Sequence, residues 1–119
     1  MLAYFDPDHL LLQRRARAWA EEYFPRDHGE EADVEKAARR IAAELGRAGW
    51  LAYLTPKSFG GAREKIQVRD LCLLREEFAH ASSLADAMFG VQALGSYPIA
   101  IAGTEEQKLR FLPAMARGR

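Results

Sequence analysis

A glutamate and a histidine with the spacing Glu-x-x-His stand in the third predicted helix, at Glu77 and His80. On a helix this spacing places a carboxylate and an imidazole on one face, as the metal sites of di-iron helix bundles require. Such a site also needs a second Glu-x-x-His pair and two further glutamates, and neither His9 nor His28 has a glutamate three residues before it. We therefore interpret Glu76, Glu77 and His80 as residues on or near a solvated face, and we predict no metal site.

Three other features would carry chemistry only in a fuller setting. Cys72 would need a neighbouring base to act as a nucleophile, and it stands in the apolar run Leu-Cys-Leu-Leu, so we predict a small core residue. The arginine pairs at 14–15 and 39–40 would bind phosphates, but such residues more often solvate the outer face of a helix. The pair Gly60–Gly61 lacks the lysine and the Ser or Thr of a phosphate-binding loop, which favours a turn.

The most informative residue is Gly90, in the middle of the fourth predicted helix. Glycine at such a position costs about 1 kcal/mol relative to alanine. The spacing favours close packing of another helix. The alternative is that a side chain is missing to leave room for a ligand. Asp86, Ala87, Gly90 and Leu94 would share that face of the helix.

The composition limits the possible classes of protein. The chain has 119 residues, 49% of them hydrophobic and 29% charged, with a formal net charge of zero. This length supports one domain with its own core, and the balanced charge argues against a nucleic-acid-binding protein. A single cysteine excludes an internal disulfide and favours a cytoplasmic setting. The start MLAYFDPDHL is not a signal peptide, and no apolar run is long enough for membrane insertion.

Capping residues and apolar periodicity predict an all-α domain, a bundle of about six helices without strands of useful length. The first helix begins at Pro7 after Asp6 and ends at Pro25, the second lies within residues 32–51 with Gly49 as its stop, and the third lies within 66–81. The segment 50–54 is predicted to pack back on the helices. The residues predicted to face inward are Leu12, Ala16, Trp19, Tyr23, Val34, Ala37, Ile41, Leu45, Ala48, Val68, Leu71, Cys72, Phe78 and Ala79.

Glycine and proline divide the next part of the chain into two predicted helices. Ser83 starts the fourth helix, with Asp86 in the acidic position of a capping box. Gly95 is predicted to end that helix. A short apolar helix then runs from Pro98 to Gly103.

The last predicted helix has the clearest beginning. Thr104 and Gln107 have the spacing of a full capping box, in which two side chains satisfy two backbone N–H groups. Pro113 would interrupt the helical hydrogen bonds, so we expect this helix to end near Leu112.

Three stretches also carry a family resemblance. GTEEQKLRFLPAMARGR, residues 103–119, contains a Gly-Thr-Glu-Glu-Gln-Lys segment and an aromatic-Leu-Pro step. ELGRAGWLAYLTPKSFGG, residues 44–61, leads from Glu-Leu-Gly-x-x-Gly into an aromatic-Gly-Gly turn. LLREEFAHASSLADAM, residues 73–88, joins the third helix to the fourth. Together and in this order they resemble the N-terminal α-helical domain of the acyl-CoA dehydrogenase family, over nearly the whole chain.

The resemblance implies an architecture and a chemistry. In the family this domain is followed by a β-domain and a C-terminal four-helix domain, so residues 1–119 are expected to be a single helical domain that ends at a domain boundary. Family members bind FAD and oxidise acyl-CoA thioesters, as in fatty acid metabolism. Their catalytic glutamate lies in the C-terminal domain, so no catalytic residue is assigned here. The fragment alone is expected to be inactive and not to bind FAD stably.

The resemblance also implies a substrate site. In the family the fourth helix and the following turn form part of the wall around the acyl chain. Carried over to this chain, the wall residues are Asp86, Ala87, Gly90 and Leu94. Asp86 departs from an apolar wall, unless it acts as a helix cap.

Three hypotheses follow, in decreasing order of support. The first is the N-terminal domain of a flavin-dependent acyl-CoA dehydrogenase-like enzyme, completed by the other domains or by a partner chain. The second is a stand-alone, non-catalytic helical interaction module, which would self-associate as a homo-oligomer through an exposed apolar surface. The third is the di-iron bundle suggested by Glu77 and His80. The end at residue 119 would fit a cut piece, a truncated gene product or a small free-standing protein.

Overall fold

The computed structural model describes residues 2–24 and 33–119. These residues form five α-helices: α1 (Pro7–Tyr23), α2 (Val34–Arg47), α3 (Val68–Ala81), α4 (Ser83–Ala102) and α5 (Glu105–Ala116). Three short 3₁₀ segments accompany them, at Leu2–Tyr4, Trp50–Leu54 and Lys57–Phe59. Over the described ranges the extended structure is limited to one isolated bridge between Pro56 and Arg63. The all-α prediction is therefore confirmed, with five α-helices where about six were expected.

Helix α4 is the central element, because it contacts α2, α3, α5 and the Trp50–Leu54 segment. Helix α1 packs on α3. An aromatic cluster of Trp19, Trp50, Phe78 and Phe89 connects these elements in the core. The centroids of rings in contact within it are 5.3 to 5.8 Å apart. Trp50, Leu51 and Leu54 are buried, which confirms that the 50–54 segment packs back on the helices.

The predicted helix starts agree well with the structure. Asp6 precedes α1 as the N-cap residue, and Pro7 is its first helical residue. The predicted end of that helix at Pro25 lies outside the described residues. Helix α2 is followed by Gly49, whose φ of 89° is the left-handed conformation that favours glycine after a helix. The side chain of Thr104 accepts from the backbone N–H of Gln107, and the Gln107 side chain accepts from that of Thr104.

The cap at Thr104 gives a first testable prediction. We expect Thr104→Ala to lower the free energy of unfolding by about 1 kcal/mol, because one backbone N–H of the first turn of α5 loses its acceptor. Urea unfolding of the two proteins measures the difference. Thr104→Ser keeps a hydroxyl acceptor and is the matched control. A serine variant as unstable as the alanine variant would show that the capping bond is not the cause.

The division of α4 at Gly95 is wrong, since one helix continues through Gly95 and Pro98 to Ala102. A Cβ atom on Gly95 would lie 3.2 Å from Cε of Met115, the flexible end of a side chain on α5, and the helix continues through this glycine without a stop. Ser96 is buried between these two positions. Packing against three neighbouring helices therefore outweighs the hydrogen bond that Pro98 removes.

The predicted end of the last helix near Leu112 is also wrong. Helix α5 continues through Pro113 to Ala116. Both Leu112 and Ala116 are buried, so the extra turn of helix gains apolar contacts that a helix ending at Pro113 would lose.

The inward face was predicted correctly for much of α1 and α2 and only partly for α3. Leu12, Ala16, Ala37, Ile41 and Leu45 are buried, whereas Trp19 and Tyr23 are half-buried and Val34 and Ala48 are exposed. In α3, Phe78 is buried and Leu71 half-buried, but Val68, Cys72 and Ala79 are exposed. The buried stripe of α3 instead consists of Asp70, Leu73, Leu74, Glu77 and Phe78.

Candidate functional site

An apolar groove of about 540 Å³ runs between α3 and α4. Arg75 supplies the charged group of its lining, and the other lining side chains are mostly aliphatic. The lining residues are Leu71, Cys72, Arg75, Ala87, Gly90, Val91, Ala93, Leu94, Tyr97 and Pro98. A concave apolar surface with one polar group at its side is typical of a small-molecule site.

Three of the four predicted site residues lie in this groove. Ala87, Gly90 and Leu94 line it from α4, where their spacing of three and four residues places them on one face. Leu94 is 77% exposed, so its apolar side chain is available to a ligand or to another part of the protein. Asp86 does not line the groove itself but binds Arg75, which does. Their role in substrate binding stays a prediction.

The environment of Gly90 favours the ligand explanation for this glycine over close helix packing. The three atoms nearest to an added Cβ would all belong to the guanidinium of Arg75, each at 3.6 Å. This is an ordinary van der Waals distance to a side chain, so no neighbouring helix backbone requires a glycine here. The preference for a packing glycine was therefore wrong for Gly90.

Asp86 forms an ion pair where a helix cap was predicted. Ser82 is the N-cap of α4, and its side chain accepts from the N–H of Ala85. Asp86 accepts two bonds from Arg75, from Nε to Oδ1 at 2.7 Å and from Nη2 to Oδ2 at 2.9 Å. This hydrogen-bonded contact, followed by the Coulomb attraction, raises the pKa of Arg75 above its ordinary value. The guanidinium beside the groove therefore stays charged.

Cys72 lies on the groove and not in the core. It is exposed and lines the groove beside Leu71 and Arg75, so its prediction as a small core residue was wrong. The apolar run around it is amphipathic, because Leu73 and Leu74 take the buried positions. As the single cysteine of the chain, it gives a chemical probe of the groove.

Glu77 is buried, contrary to the expectation of a solvated face. Its carboxylate accepts from Arg17 Nε at 2.8 Å and Nη2 at 3.1 Å, and from Gln13 Nε2 at 3.0 Å. Glu76 and His80 are exposed, as expected. Over the described ranges no cluster of three or more His, Cys, Asp and Glu side chains could hold a metal ion. Both oxygens of Glu77 are thus engaged by residues of α1, and His80 has no ligand set around it.

A second buried polar network contains His9. Its Nδ1 accepts from the backbone N–H of Asp6 at 3.0 Å, so the neutral ring carries its proton on Nε2, which lies 3.0 Å from Oε1 of Gln67. Asp70, 1% exposed, lies 3.6 Å from His9 Nε2 and binds Arg63 through two bonds. These bonds connect the start of α1 to α3 and satisfy the buried groups, which is a structural role.

The glycine pair and Arg39 are engaged by neighbouring residues in the structure. Gly60 is in the left-handed conformation, and the N–H groups of Gly60 and Gly61 donate to the carbonyls of Lys57 and Pro56. The turn predicted for this pair therefore uses both donors that a phosphate would need. Arg39 pairs with Glu35 on the exposed side of α2, at 2.5 Å.

The comparisons with known proteins decide the family. Residues 6–119 match the model of the acyl-CoA dehydrogenase N-terminal domain. The chain belongs to the acyl-CoA dehydrogenase N-terminal domain family. It is 30% identical over 107 residues to the acyl-CoA dehydrogenase FadE12 of Mycobacterium tuberculosis H37Rv, which covers 90% of this chain and 27% of that protein. It is 28% identical over 116 residues to the 3-(aryl)acrylate reductase of Clostridium sporogenes, which covers 97% of this chain and 30% of that protein.

A shorter match reaches a relative with a cyclic substrate in its name. Over 71 residues the chain is 35% identical to the cyclohexane-1-carbonyl-CoA dehydrogenase of Geobacter metallireducens, which covers 60% of this chain and 18% of that protein. This acyl-CoA dehydrogenase domain thus spans less than a third of the length of these relatives. In the part of it that the structure describes, no helix is long and apolar enough to cross a membrane.

The groove suits an apolar acyl group better than a flavin dinucleotide, the cofactor that the resemblance to this family implies. The pyrophosphate of FAD would need several N–H donors or cations, whereas the groove offers Arg75, which is already paired with Asp86. The buried hydroxyls of Thr55 and Ser96 have no hydrogen-bond partner, but they face a crevice too small to admit a water molecule. The groove therefore lacks the set of donors that a pyrophosphate would need.

The geometry at Gly90 gives a second testable prediction. We expect Gly90→Ala to raise the free energy of unfolding by about 0.5 to 1 kcal/mol, because alanine lowers the entropy of the unfolded chain and its Cβ fits beside Arg75. Thermal unfolding measures the change. In Gly95→Ala the new Cβ would meet Met115 at 3.2 Å, so this matched variant is expected to gain less stability. A Gly90→Ala protein that is less stable than the parent would contradict the open geometry.

Proposed function

We propose that this chain is the N-terminal part of a FAD-dependent acyl-CoA dehydrogenase-like oxidoreductase, and that the groove between α3 and α4 forms one wall of its acyl site. Two observations that agree with each other support this proposal. The family match covers residues 6–119, and three of the four residues that the resemblance assigns to the acyl wall line an apolar groove. Asp86, the fourth, is neutralised by Arg75, which removes the conflict between its charge and an apolar ligand.

The proposed reaction is the α,β-dehydrogenation of an acyl-CoA thioester. The bound flavin would accept the hydride, which no side chain can do. The contribution of this chain is to hold the acyl group and to keep water from it, through the side chains of Ala87, Val91 and Leu94. We assign no carboxylate of the chain as the base. The β-domain and the C-terminal domain, or a partner chain that replaces them, would supply the base and the cofactor site, so residues 1–119 alone are proposed to be inactive. A cytoplasmic location, expected from the single cysteine, belongs to the same proposal.

Flavin content and substrate reduction test this function. The full-length protein should be purified yellow, and anaerobic addition of an acyl-CoA should bleach the flavin. We expect Leu94→Asp to weaken acyl-CoA binding about 10-fold, because a carboxylate replaces apolar contact area in the groove. Leu109→Asp on α5 changes another exposed leucine, 63% accessible and outside the groove lining, and this variant should bind acyl-CoA normally. A folded full-length protein that never retains flavin would refute the proposal.

The alternative function is a stand-alone, non-catalytic interaction module. It is favoured by the large apolar side chains that α4 and α5 leave exposed: Val91, Leu94, Tyr97, Ile101, Leu109 and Phe111. Antibody capture and intact mass spectrometry from the native cell would separate the two functions. A species several times larger than 13.4 kDa supports the enzyme. A 13.4 kDa species that self-associates supports the module.

A further inference from the structure

One ion pair interrupts the apolar lining of the groove. Arg75 is 53% exposed and Asp86 is 21% exposed, and the carboxylate holds the guanidinium through two parallel bonds. Such a forked contact fixes the plane of the guanidinium, which a single-point contact would not do. An ion pair as exposed as this one contributes little to stability, so its main consequence is the fixed orientation of the guanidinium at the groove.

The guanidinium has unused hydrogen-bonding capacity at this position. Arginine has five N–H donors, and Asp86 takes two of them. Among the described residues no further acceptor bonds Arg75, so three donors remain. The guanidinium lies against Gly90, where an added Cβ would be 3.6 Å from Cζ, Nε and Nη2 alike. Equal distances to these three atoms place the Cβ position over the face of the guanidinium and away from its hydrogen-bonding edge.

We propose that Arg75, held by Asp86, is a specificity-determining residue that favours acyl groups carrying an uncharged oxygen, such as a hydroxyl or a carbonyl, where the acyl group passes α3. This inference rests on the proposed function, because it names the substrate class of the same groove. The oxygen would accept a hydrogen bond from a free N–H of Arg75. A plain alkyl chain would displace water from that donor and offer no acceptor in its place.

The charge balance favours a neutral oxygen over a carboxylate. Arg75 and Asp86 already neutralise each other, so an acyl carboxylate would add an uncompensated negative charge to an apolar groove. It would also repel the carboxylate of Asp86. A hydroxyl or a carbonyl adds no charge and accepts from a donor that Asp86 leaves free.

Matched pairs of thioesters test the preference on the full-length protein. One member is an ω-hydroxyacyl-CoA and the other an alkyl acyl-CoA with a methyl group in place of the hydroxyl, with chains from four to ten carbons. Binding is measured by titration calorimetry and by protection of Cys72 from alkylation, read on its peptide by mass spectrometry. Neither measurement requires turnover.

Substitution of Arg75 should remove the preference. In Arg75→Met, which keeps a long apolar stem, we expect the hydroxy-to-alkyl affinity ratio at the best chain length to fall about 10-fold. Arg75→Lys keeps the charge but loses the fork, and it should recover part of the ratio. Asp86→Asn should leave an unpaired cation and gain affinity for a carboxyacyl-CoA that the parent binds weakly. The unfolding curves of the three variants show whether each is folded.

The outcomes separate the two proposals. If no thioester binds or protects Cys72, the proposed function fails. If alkyl thioesters bind and protect Cys72 but the ratio is the same in Arg75→Met, the role of Arg75 is refuted and the acyl groove stands. A parent protein that prefers the carboxyacyl-CoA would refute the choice of an uncharged oxygen. A ratio that falls in Arg75→Met and partly returns in Arg75→Lys supports the inference.

Discussion

Replacement of Gly90 by phenylalanine is expected to shorten the acyl groove and to weaken the binding of long acyl-CoA thioesters about 50-fold. The open space beside Gly90 is bordered by the guanidinium of Arg75, and a benzyl group there would project into the groove lined by Ala87 and Leu94. Exclusion of about three methylenes, at about 0.8 kcal/mol each, gives a loss of this size. Titration of the full-length protein with butyryl-CoA, hexanoyl-CoA and decanoyl-CoA measures it.

The dependence on chain length is the decisive part of this result. Butyryl-CoA should bind the Gly90→Phe protein nearly as well as the parent, because a short acyl group ends before the blocked part of the groove. Gly90→Ala is the matched control, since its methyl group meets Arg75 at an ordinary contact distance and leaves the groove open. An equal loss for all three thioesters would indicate a general distortion of α4. An unchanged affinity for decanoyl-CoA would show that the acyl chain lies elsewhere.

Local signals predicted where the helices begin, because a cap is complete within four residues. The bonds between Thr104 and Gln107 join residues three apart, so both partners of the cap can be recognised in a short stretch of sequence. The ends were predicted less well. At Pro113 the local cost of proline is smaller than the packing of the turn that follows it, and that packing depends on neighbours far away in the chain.

The buried face of α3 differs from the predicted one because it includes two charged residues. Apolar spacing alone placed Val68 and Cys72 inside, yet Asp70 and Glu77 are buried in their stead. Glu77 is neutralised by Arg17, which is 60 residues earlier in the chain. A carboxylate enters a core only when such a partner is present, and its own helix gives no sign of that partner.

The candidate site was predictable from α4 and not from α3. Gly90 stood out as a costly residue in a helix, and Ala87 and Leu94 followed from helical spacing. Arg75 was missed, because it reaches the groove only through the packing of α3 on α4 and its forked bond to Asp86, eleven residues away. Because of the same packing, Asp86 pairs with Arg75 and does not cap α4 as predicted.

Truncation of Phe78 to alanine is expected to lower the free energy of unfolding by about 3 to 5 kcal/mol. Phe78 is fully buried and contacts three other aromatic rings, from α1, the Trp50–Leu54 segment and α4. Its removal leaves a cavity where these elements meet, and a domain of this kind has about 5 to 15 kcal/mol in total. Urea unfolding followed by the fluorescence of Trp19 and Trp50, the two tryptophans of the chain, reports directly on this cluster.

A surface phenylalanine provides the control for this measurement. Phe111 on α5 is 42% exposed, and Phe111→Ala should change the free energy of unfolding by less than about 1 kcal/mol. Phe78→Leu keeps most of the volume and is expected to lose about 1.5 kcal/mol, so it gives a folded reference if the alanine variant does not fold. A loss below about 1 kcal/mol in Phe78→Ala would mean that the aromatic cluster does not hold α1, α3 and α4 together. In that case the groove between α3 and α4 would need support from contacts outside this domain.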